Sequence, residues 1–297
     1  MIEPNADDRQ PHDPAPAVLR ARLLVLAAAV MWSTSGFFVK APYFTGWPGS
    51  TLAFWRALFA CVALWPLVRR PRWSWKLLPM TALFAGMNYT YLTAMVEGSA
   101  ANAIWLQCTA PVWVLLIGVL VFRERAVRRD WIMVALAATG TSVIIFFESR
   151  GEAPAAVGWG LASGVFYAGV VLALRQLRDY DAVWLAALNH LVTAIVLAPL
   201  AFVDSYFPGG GMQWLLLAGL GIVQMAVPYV LFARGLKRIT GHEAAGIGLV
   251  EPLLVPVWVY LAWGDGLAWW TLAGGGLILV GLAIRFSEPA SEQAATD

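Results

Sequence analysis

Residues 110–125 read APVWVLLIGVLVFRER, and residues 251–266, which lie 141 positions further along the chain, read EPLLVPVWVYLAWGDG. The same offset pairs chemically similar residues in the two copies: Pro111 with Pro252, Glu124 with Asp265, and Gly140 with Gly281. The correspondence continues upstream to Ala94, which falls on Gly235, without an insertion or a deletion. A repeat of this length predicts that the chain consists of two related halves.

The composition is that of an integral membrane protein. Of 297 residues, 60% are hydrophobic and only 13% are charged, and the mean hydropathy is +0.68. A soluble domain has about a quarter of its residues charged, whereas here the apolar residues form blocks of about 20, the length of a helix that crosses a bilayer. We therefore expect the lipid bilayer as a partner. The net charge of only +2 indicates no nucleic-acid partner.

No pattern typical of a metal or cofactor site is present in the sequence. Cys61 and Cys108 lie in separate apolar blocks, and their spacing supports neither a disulfide nor a metal site. The chain also lacks a Gly-rich loop followed by Lys and Ser or Thr, which would hold the phosphates of ATP. We therefore expect no metal, no cofactor and no use of ATP.

Ten apolar blocks with short connections predict an all-α integral membrane protein with ten transmembrane helices. They cover residues 20–41, 50–68, 77–96, 100–122, 129–147, 156–174, 182–202, 212–234, 243–263 and 267–286. Five helices fall in a first unit, residues 20–148, and five in a second unit, residues 156–286. The polar tails, residues 1–19 and 287–297, are predicted to be disordered and cytoplasmic.

The basic residues predict the orientation of the helices. With both termini in the cytoplasm, the cytoplasmic segments contain every Lys and Arg except Lys40, Arg56 and Arg150, which agrees with the positive-inside rule. Each half has an odd number of helices, so the second half must enter the membrane from the opposite side. The halves are therefore predicted to be inverted-topology repeats, an architecture of secondary transporters in which the substrate site lies near the midplane.

Polar and aromatic side chains at membrane depth are candidates for that site, because polar groups are costly there. Seven are predicted to bind substrate: Trp32, Asn88, Tyr91, Trp105, Tyr167, Gln224 and Tyr229. Rings with hydroxyl and indole donors suit aromatic or aliphatic side chains, and ring faces suit cations. The alternative is that these rings only pack between helices.

Four prolines are predicted to interrupt the fourth, eighth and ninth helices: Pro111, Pro228, Pro252 and Pro256. A membrane helix tolerates proline where neighbours bond the freed backbone groups. Breaks at matching positions of two halves indicate the pathway and the moving parts.

Glu251, Arg56 and His190 are the candidate charged or proton-coupling groups. Glu251 is the carboxylate near the middle of a predicted helix; it is either a proton carrier or counter-charge, or a partner of backbone groups freed at Pro252. Arg56 either extends outward to the interface or pairs with a glutamate such as Glu97 or Glu148. His190 is either a proton-sensitive group or a packing residue.

Several motifs resemble those of the drug/metabolite transporter superfamily, of the EamA type. They are Phe54-Trp55-Arg56, Pro111 followed by Arg123-Glu124-Arg125, Glu251-Pro252 followed by Gly264-Asp265, and the pair Gly140 and Gly281. The overall likeness and the abundance of tryptophan are most similar to the YddG-type exporters. This resemblance implies a bacterial inner-membrane protein that exports aromatic and other amino acids.

We therefore predict an exporter of amino acids and related small metabolites that works by alternating access, and not an enzyme. Ten helices can enclose a pathway alone, so we expect a monomer. Three alternatives stay open. The first is a drug or organic-cation exporter in which Glu251 is the counter-charge, the second a membrane-embedded enzyme, and the third an assembly or receptor protein without a working pathway.

Overall fold

A computed structural model describes residues 15–123, 125–148, 154–203 and 206–286. These residues form α-helices joined by short connections, and no strand occurs among them. The predicted disordered N-terminal tail is too long, because the first helix already begins at Ala15. The remainder of that tail and the predicted C-terminal tail lie outside the described residues, as does Glu124 of the repeat motif.

The helices of the first half are α1 Ala15–Trp32, α2 Ser35–Val39, α3 Gly49–Leu64, α4 Leu77–Glu97, α5 Ala100–Gln107, α6 Ala110–Val121 and α7 Arg128–Glu148. Those of the second half are α8 Pro154–Gln176, α9 Ala182–Val203, α10 Gly211–Ala218, α11 Val227–Gly235, α12 Gly241–Gly248, α13 Val250–Trp263 and α14 Trp269–Phe286. A π-helical segment, Gly219–Ala226, joins α10 to α11.

The described residues contain nine helical segments that are long and apolar enough to cross a membrane. They are Pro16–Val39, Gly49–Leu67, Ala100–Val121, Arg128–Phe147, Pro154–Gln176, Ala182–Val203, Gly211–Gly235, Glu243–Trp263 and Trp269–Phe286. This confirms the prediction of an all-helical membrane protein. The remaining predicted helix, residues 77–96, corresponds to α4, which has 21 residues. It is less apolar because it contains several polar residues, four of which are buried: Thr81, Asn88, Thr90 and Thr93.

Helices α7 and α14, the last helix of each half, pack together at glycines. A Cβ atom added to Gly140 would lie 2.3 Å from the carbonyl oxygen of Gly274, and one added to Gly274 would lie 2.6 Å from the carbonyl oxygen of Gly140. Next to this crossing, a Cβ atom on Gly281 would lie 3.2 Å from the carbonyl oxygen of Met133. The two backbones are therefore in direct contact, which is the close approach that small residues permit in lipid.

The other interhelical contacts bring the two halves around a shared interior. Helix α4 packs on α8 and α9, α3 packs on α9 and on the π-helical segment, and α1 packs on α11. At two further contacts a glycine lies against a side chain of another helix: Gly86 faces the ring of Phe166, and Gly235 faces Val25. These contacts position four interior residues described below: Arg56 on α3, Tyr91 on α4, His190 on α9 and Tyr229 on α11.

The ends of α7 and α14 are joined by an ion pair. Asp130, which is 3% exposed, accepts the backbone N–H of Val127 at 2.8 Å, and its other oxygen lies 2.5 Å from Nε of Arg285. Asp130 therefore both caps α7 and neutralises the charge of Arg285 on α14.

We expect Asp130→Asn to keep the helix cap but lose the ion pair, and to lower the free energy of unfolding by about 1–2 kcal/mol, since Arg285 is partly exposed to solvent. Asp181→Asn is the matched control, because Asp181 caps α9 through the N–H of Trp184 at 2.9 Å and has no ion pair with any described residue. Thermal melting in detergent measures both. Equal melting temperatures for the two variants would contradict the role of the ion pair.

Candidate functional site

Four of the membrane-spanning segments are interrupted within their length. The segment Ala100–Val121 breaks at Cys108 and Thr109, just before Pro111, and Glu243–Trp263 breaks at Leu249, just before Pro252. The segment Gly211–Gly235 passes through the π-helical stretch before Pro228. The predicted interruptions are thus present just before Pro111, Pro228 and Pro252, whereas Pro256 lies inside α13, which continues through it. A fourth break, at Ser33 and Thr34 between α1 and α2, occurs without a proline.

Side chains from the opposite half bond the backbone at these breaks. Proline at position 256 has no N–H, so the carbonyl of Pro252 lacks its helical partner; the indole Nε1 of Trp105 donates to it at 2.9 Å. At the break after α1, Nε2 of Gln224 donates to the carbonyl oxygen of Trp32 at 3.0 Å. These bonds satisfy groups that would otherwise be unpaired inside the membrane.

Two further tryptophans bind the short helix α2 to α13. The indole of Trp258 donates to Oγ of Ser33 at 2.8 Å, and that of Trp263 donates to the carbonyl oxygen of Phe37 at 2.8 Å. The broken first span is therefore bonded to α13 of the second half both at the break and on α2.

Trp105 is a structural contact in this conformation. Its ring is 3% exposed and covers Gly275, where an added Cβ would lie 1.9 Å from the ring. Its single N–H is occupied by the carbonyl of Pro252. The predicted role of Trp105 in substrate binding thus stays a prediction for another state of the protein.

Replacing Trp105 with phenylalanine would leave the carbonyl of Pro252 unpaired and buried. We expect the free energy of unfolding to fall by about 1–3 kcal/mol, the cost of an unsatisfied buried acceptor. Trp75→Phe is the control, because Trp75 is 77% exposed. Melting temperatures in detergent compare the two, and a Trp105→Phe variant as stable as the control would show that the bond contributes little.

Arg56 lies in the interior and does not extend to the interface. It is the eighth of sixteen residues in α3 and is 5% exposed. Its Nη2 donates to the sulfur of Met225, and its guanidinium carbon lies 5.9 Å from the centre of the Tyr91 ring. The outward extension and the pairing with Glu97 that we considered from the sequence are therefore not formed; the side chain of Glu148 lies outside the described ones.

His190 and the rings around it lie in the same region of the interior as Arg56, with which His190 interacts electrostatically. His190 is fully buried, and its ring lies 5.1 Å from Phe84 and 5.9 Å from Tyr229, centre to centre. Tyr229 in turn contacts Trp32 at 5.4 Å, edge to face. His190 therefore packs among rings, and its role as a proton-sensitive group stays a prediction.

Glu251 and Tyr167 extend this group toward α8 and α13. Glu251 is half-buried at the first turn of α13, and it interacts electrostatically with Arg56, Tyr91 and Tyr229. It forms no ion pair with any described residue. Tyr167, which is 41% exposed, interacts electrostatically with Glu251 and Tyr229.

We use the term central cluster for Arg56, Tyr91, Tyr167, His190, Tyr229 and Glu251, together with Trp32 and Met225. The structure thus brings together most of the predicted site residues. Asn88 lies one turn from Tyr91 on α4, where it donates from Nδ2 to the carbonyl of Phe84 at 3.1 Å. Gln224 contacts the break after Trp32 and not the centre of the cluster.

Sequence reasoning missed Ser35 and Met225. Ser35 is buried and its Oγ lies 3.1 Å from the hydroxyl oxygen of Tyr91. Its position directly after Ser33 and Thr34 is the one available signal, since short polar side chains that bond the preceding turn bend helices. Met225 carries no such signal, because a methionine in an apolar segment is an ordinary packing residue.

Two cavities lie outside the central cluster. One of about 250 Å³ opens between α2, α13 and the π-helical segment, and it is lined by Thr34, Phe37, Phe38, Val223 and Trp258. A smaller cleft of about 60 Å³ lies at the Lys40 end of the first span and includes Ser99, Asp265 and Thr271. Neither of these two is lined by the seven predicted substrate-binding residues, and Arg56, Tyr91 and His190 are closed off in this conformation.

Polar contacts hold both ends of the first span, and the one at Arg22 reaches the second half. At one end, Nε of Arg22 lies 2.5 Å from Oε1 of Glu243 on α12. At the other end, Lys40 donates to the carbonyl oxygen of Gly98 and interacts electrostatically with Asp265. Burial lowers the pKa of Lys40, and the charge of Asp265 opposes this shift.

Proteins of similar sequence are named as transporters or exporters. An "Uncharacterized transporter" of Archaeoglobus fulgidus is 27% identical over 267 residues, which are 89% of this chain and 95% of that protein. The "Pseudopaline exporter CntI" of Pseudomonas aeruginosa is 28% identical over 271 residues, 87% of this chain and 93% of that protein. The "Uncharacterized transporter YwfM" of Bacillus subtilis is 24% identical over 289 residues, 92% of this chain and 96% of that protein.

A solved crystal structure shares the fold, with a TM-score of 0.65 at 19% identity, covering 89% of this chain and 96% of that chain. The model of the EamA-like transporter family matches residues 19–146 and 154–287, almost the whole of the chain. The protein therefore belongs to the EamA-like transporter family, within the drug/metabolite transporter superfamily.

Proposed function

We propose that this protein exports amino acids with aromatic or other apolar side chains, and related small metabolites, across the bacterial inner membrane by alternating access. The observation that carries the proposal is the central cluster, in which aromatic residues occur together with a buried cation, Arg56, and a half-buried carboxylate, Glu251, that are not ion-paired. Rings suit the side chain of such a substrate, and the two opposite charges suit its carboxylate and ammonium groups. The family membership favours a transporter over a membrane-embedded enzyme.

The packing of α7 on α14 supports the inverted repeat. Shifting by 141 residues converts the contact of Gly140 with Gly274 into the contact of Gly281 with Met133, and both contacts are present. Contacts that map onto each other in this way are what a two-fold axis between the halves produces. We therefore take α4 as the tenth membrane helix, residues 20–148 and 156–286 as the two units, and both termini as cytoplasmic.

The interrupted spans support alternating access. Two of the four interrupted spans, the first span and Glu243–Trp263, are bonded by side chains of the other half, so a rocking motion of the halves would exchange these bonds as a group. Broken helices around a midplane site are a recurrent basis for such motion. We propose a monomer as the working unit.

A cation exporter is the second candidate. Glu251 favours it, because a half-buried carboxylate among rings also suits an organic cation. The relative CntI is named as an exporter of pseudopaline, which leaves the choice of substrate to experiment.

Uptake into proteoliposomes decides between these functions. We expect saturable flux of labelled aromatic or aliphatic amino acids into liposomes that contain the purified protein, measured with and without an imposed pH gradient. Acceleration by the gradient would point to Glu251 and His190 as coupling groups, whereas indifference would assign them to packing. Flux of organic cations without flux of any amino acid would contradict the proposal. If Glu251→Gln then left that cation flux intact, the counter-charge mechanism would fail as well.

A further inference from the structure

The guanidinium of Arg56 is a buried cation without a counter-charge in contact. Among the described residues no carboxylate lies within 4.0 Å of it. Its Nη2 donates to a neutral thioether, that of Met225, and its Nε and Nη1 have no hydrogen-bond partner. A structural arginine inside a membrane protein normally bonds carboxylates or backbone carbonyls. Arg56 has neither, although it is 5% exposed.

His190 beside Arg56 also lacks partners. It is fully buried, and neither Nδ1 nor Nε2 has a hydrogen-bond partner. Buried imidazole nitrogens are almost always bonded in native proteins. The electrostatic interaction of His190 with Arg56 places the two groups in one region of the interior.

Helix α4 contributes a third unpartnered group to this region. Phe84, Asn88 and Tyr91 are spaced so that they share one face of α4. Phe84 contacts His190 and Tyr91 contacts Arg56, so Asn88 lies between these two contacts. The Oδ1 atom of Asn88 is buried and has no partner, although its Nδ2 is bonded. An amide oxygen here accepts a donor such as the ammonium group next to a carboxylate.

We propose that Arg56, assisted by His190, binds the carboxylate group of the transported molecule, which makes the protein selective for amino acids and other carboxylates over amines. This assignment rests on the proposed export function and specifies its substrate class. A carboxylate would accept the N–H donors of Nε and Nη1 that the protein leaves free, and charge-assisted bonds of this kind are strong in a dry site. The carboxylate would also supply the negative counter-charge to Arg56 that the neutral thioether of Met225 does not provide.

The neighbours of Arg56 exclude the simplest structural explanation. Glu251 is the carboxylate that interacts with it electrostatically, yet the two form no ion pair. Direct pairing would neutralise both groups, and neither charge would remain to bind the carboxylate or the ammonium group of a zwitterionic substrate. Because the two are not paired, both charges stay available to a bound amino acid, whose carboxylate would lie at Arg56.

Four related probes test the proposal on the unmodified protein. L-Phenylalanine and 3-phenylpropionate carry the carboxylate, whereas L-phenylalaninamide and phenethylamine do not. We expect both carboxylates to inhibit uptake of labelled phenylalanine into proteoliposomes at concentrations at least about tenfold lower than the amide or the amine. Equal inhibition by phenethylamine and phenylalanine would overturn the assignment while the transport function stood.

Variants then locate the effect. Arg56→Gln should raise the phenylalanine concentration for half-maximal uptake by about tenfold or more, and should reduce the preference for phenylalanine over phenylalaninamide to about twofold or less. Arg56→Lys should recover part of that preference, because it keeps the charge. Arg175→Gln, an exposed arginine at the end of α8, is the control and should behave as the unmodified protein. A preference that survives Arg56→Gln would overturn the proposal.

Binding separates this proposal from the proposed function. If no amino acid is transported, melting of the detergent-solubilised protein is measured with 3-phenylpropionate and with phenethylamine. Stabilisation by the carboxylate alone, lost in Arg56→Gln, would support the site although export had failed as the function. Equal stabilisation by both probes, or by neither, would overturn it. If Arg56→Gln does not fold, the four-probe comparison on the unmodified protein decides.

Discussion

Replacing Gly140 with leucine is expected to prevent α7 and α14 from packing and to lower the free energy of unfolding by at least about 3 kcal/mol. A Cβ atom at this position would lie 2.3 Å from the carbonyl oxygen of Gly274. The obstacle is backbone and not a flexible side chain, so the helices must separate to make room. The separation would also disturb the contact of Gly281 with Met133.

Gly276→Leu is the matched control for Gly140→Leu. Gly276 lies on α14 itself, and a Cβ atom there would meet nothing within 4 Å. Leucine is the better helix former by about 0.8 kcal/mol, so this variant should be as stable as the unmodified protein or more so. Size-exclusion profiles and melting temperatures in detergent give the comparison. A Gly140→Leu protein that elutes and melts like Gly276→Leu would show that the interface between the halves is not needed.

Cross-linking Arg22→Cys to Glu243→Cys is expected to reduce amino acid flux by more than about tenfold, because it removes one of the two states that alternating access requires. The two positions face each other across the halves, on α1 and α12, and their native side chains form an ion pair at 2.5 Å. A short thiol-reactive cross-linker would join them in a background in which Cys61 and Cys108 are alanine. Cleaving the linker with a reductant should restore the flux.

The control for this cross-link stays within one half. Arg175 and Asp179 are both exposed and lie four residues apart at the end of α8, so joining cysteines at these two positions should leave flux unchanged. Proteoliposome uptake before cross-linking, after it, and after reduction measures each pair. Undiminished flux through the cross-linked Arg22 and Glu243 positions would contradict a motion between α1 and α12.

The repeat and the hydropathy were sufficient to predict an all-helical membrane fold, and the prolines predicted three interruptions. These features are local, so a single chain reveals them. The break after α1 has a weaker local signal: Ser33 and Thr34 donate to the carbonyls of Val30 and Met31 at 2.6 Å each, within the preceding turn. Hydroxyl groups that bond the preceding turn often bend a helix, but they do so less regularly than a proline does.

The functions of individual residues were harder to predict, because their partners are distant in sequence. An indole such as that of Trp105 suits a substrate or a carbonyl equally well, and its acceptor is 147 residues away. Arg56 has the same ambiguity. Its depth in α3 was readable, but whether it reaches the interface or the interior depends on Tyr91 and Met225, which only the folded chain brings to it.

The bonds that close the broken spans have a consequence for how the protein is made. The carbonyls of Trp32 and Phe37 accept from Gln224 and Trp263 in the folded protein. These donors are synthesised about 190 and 226 residues later in the chain. A nascent first half therefore enters the bilayer with open backbone acceptors, and it reaches its final form only when the last helices arrive. Translation that stops after α7 would leave a fragment with exposed polar backbone in lipid, which is a form that membrane quality-control proteases can recognise and remove.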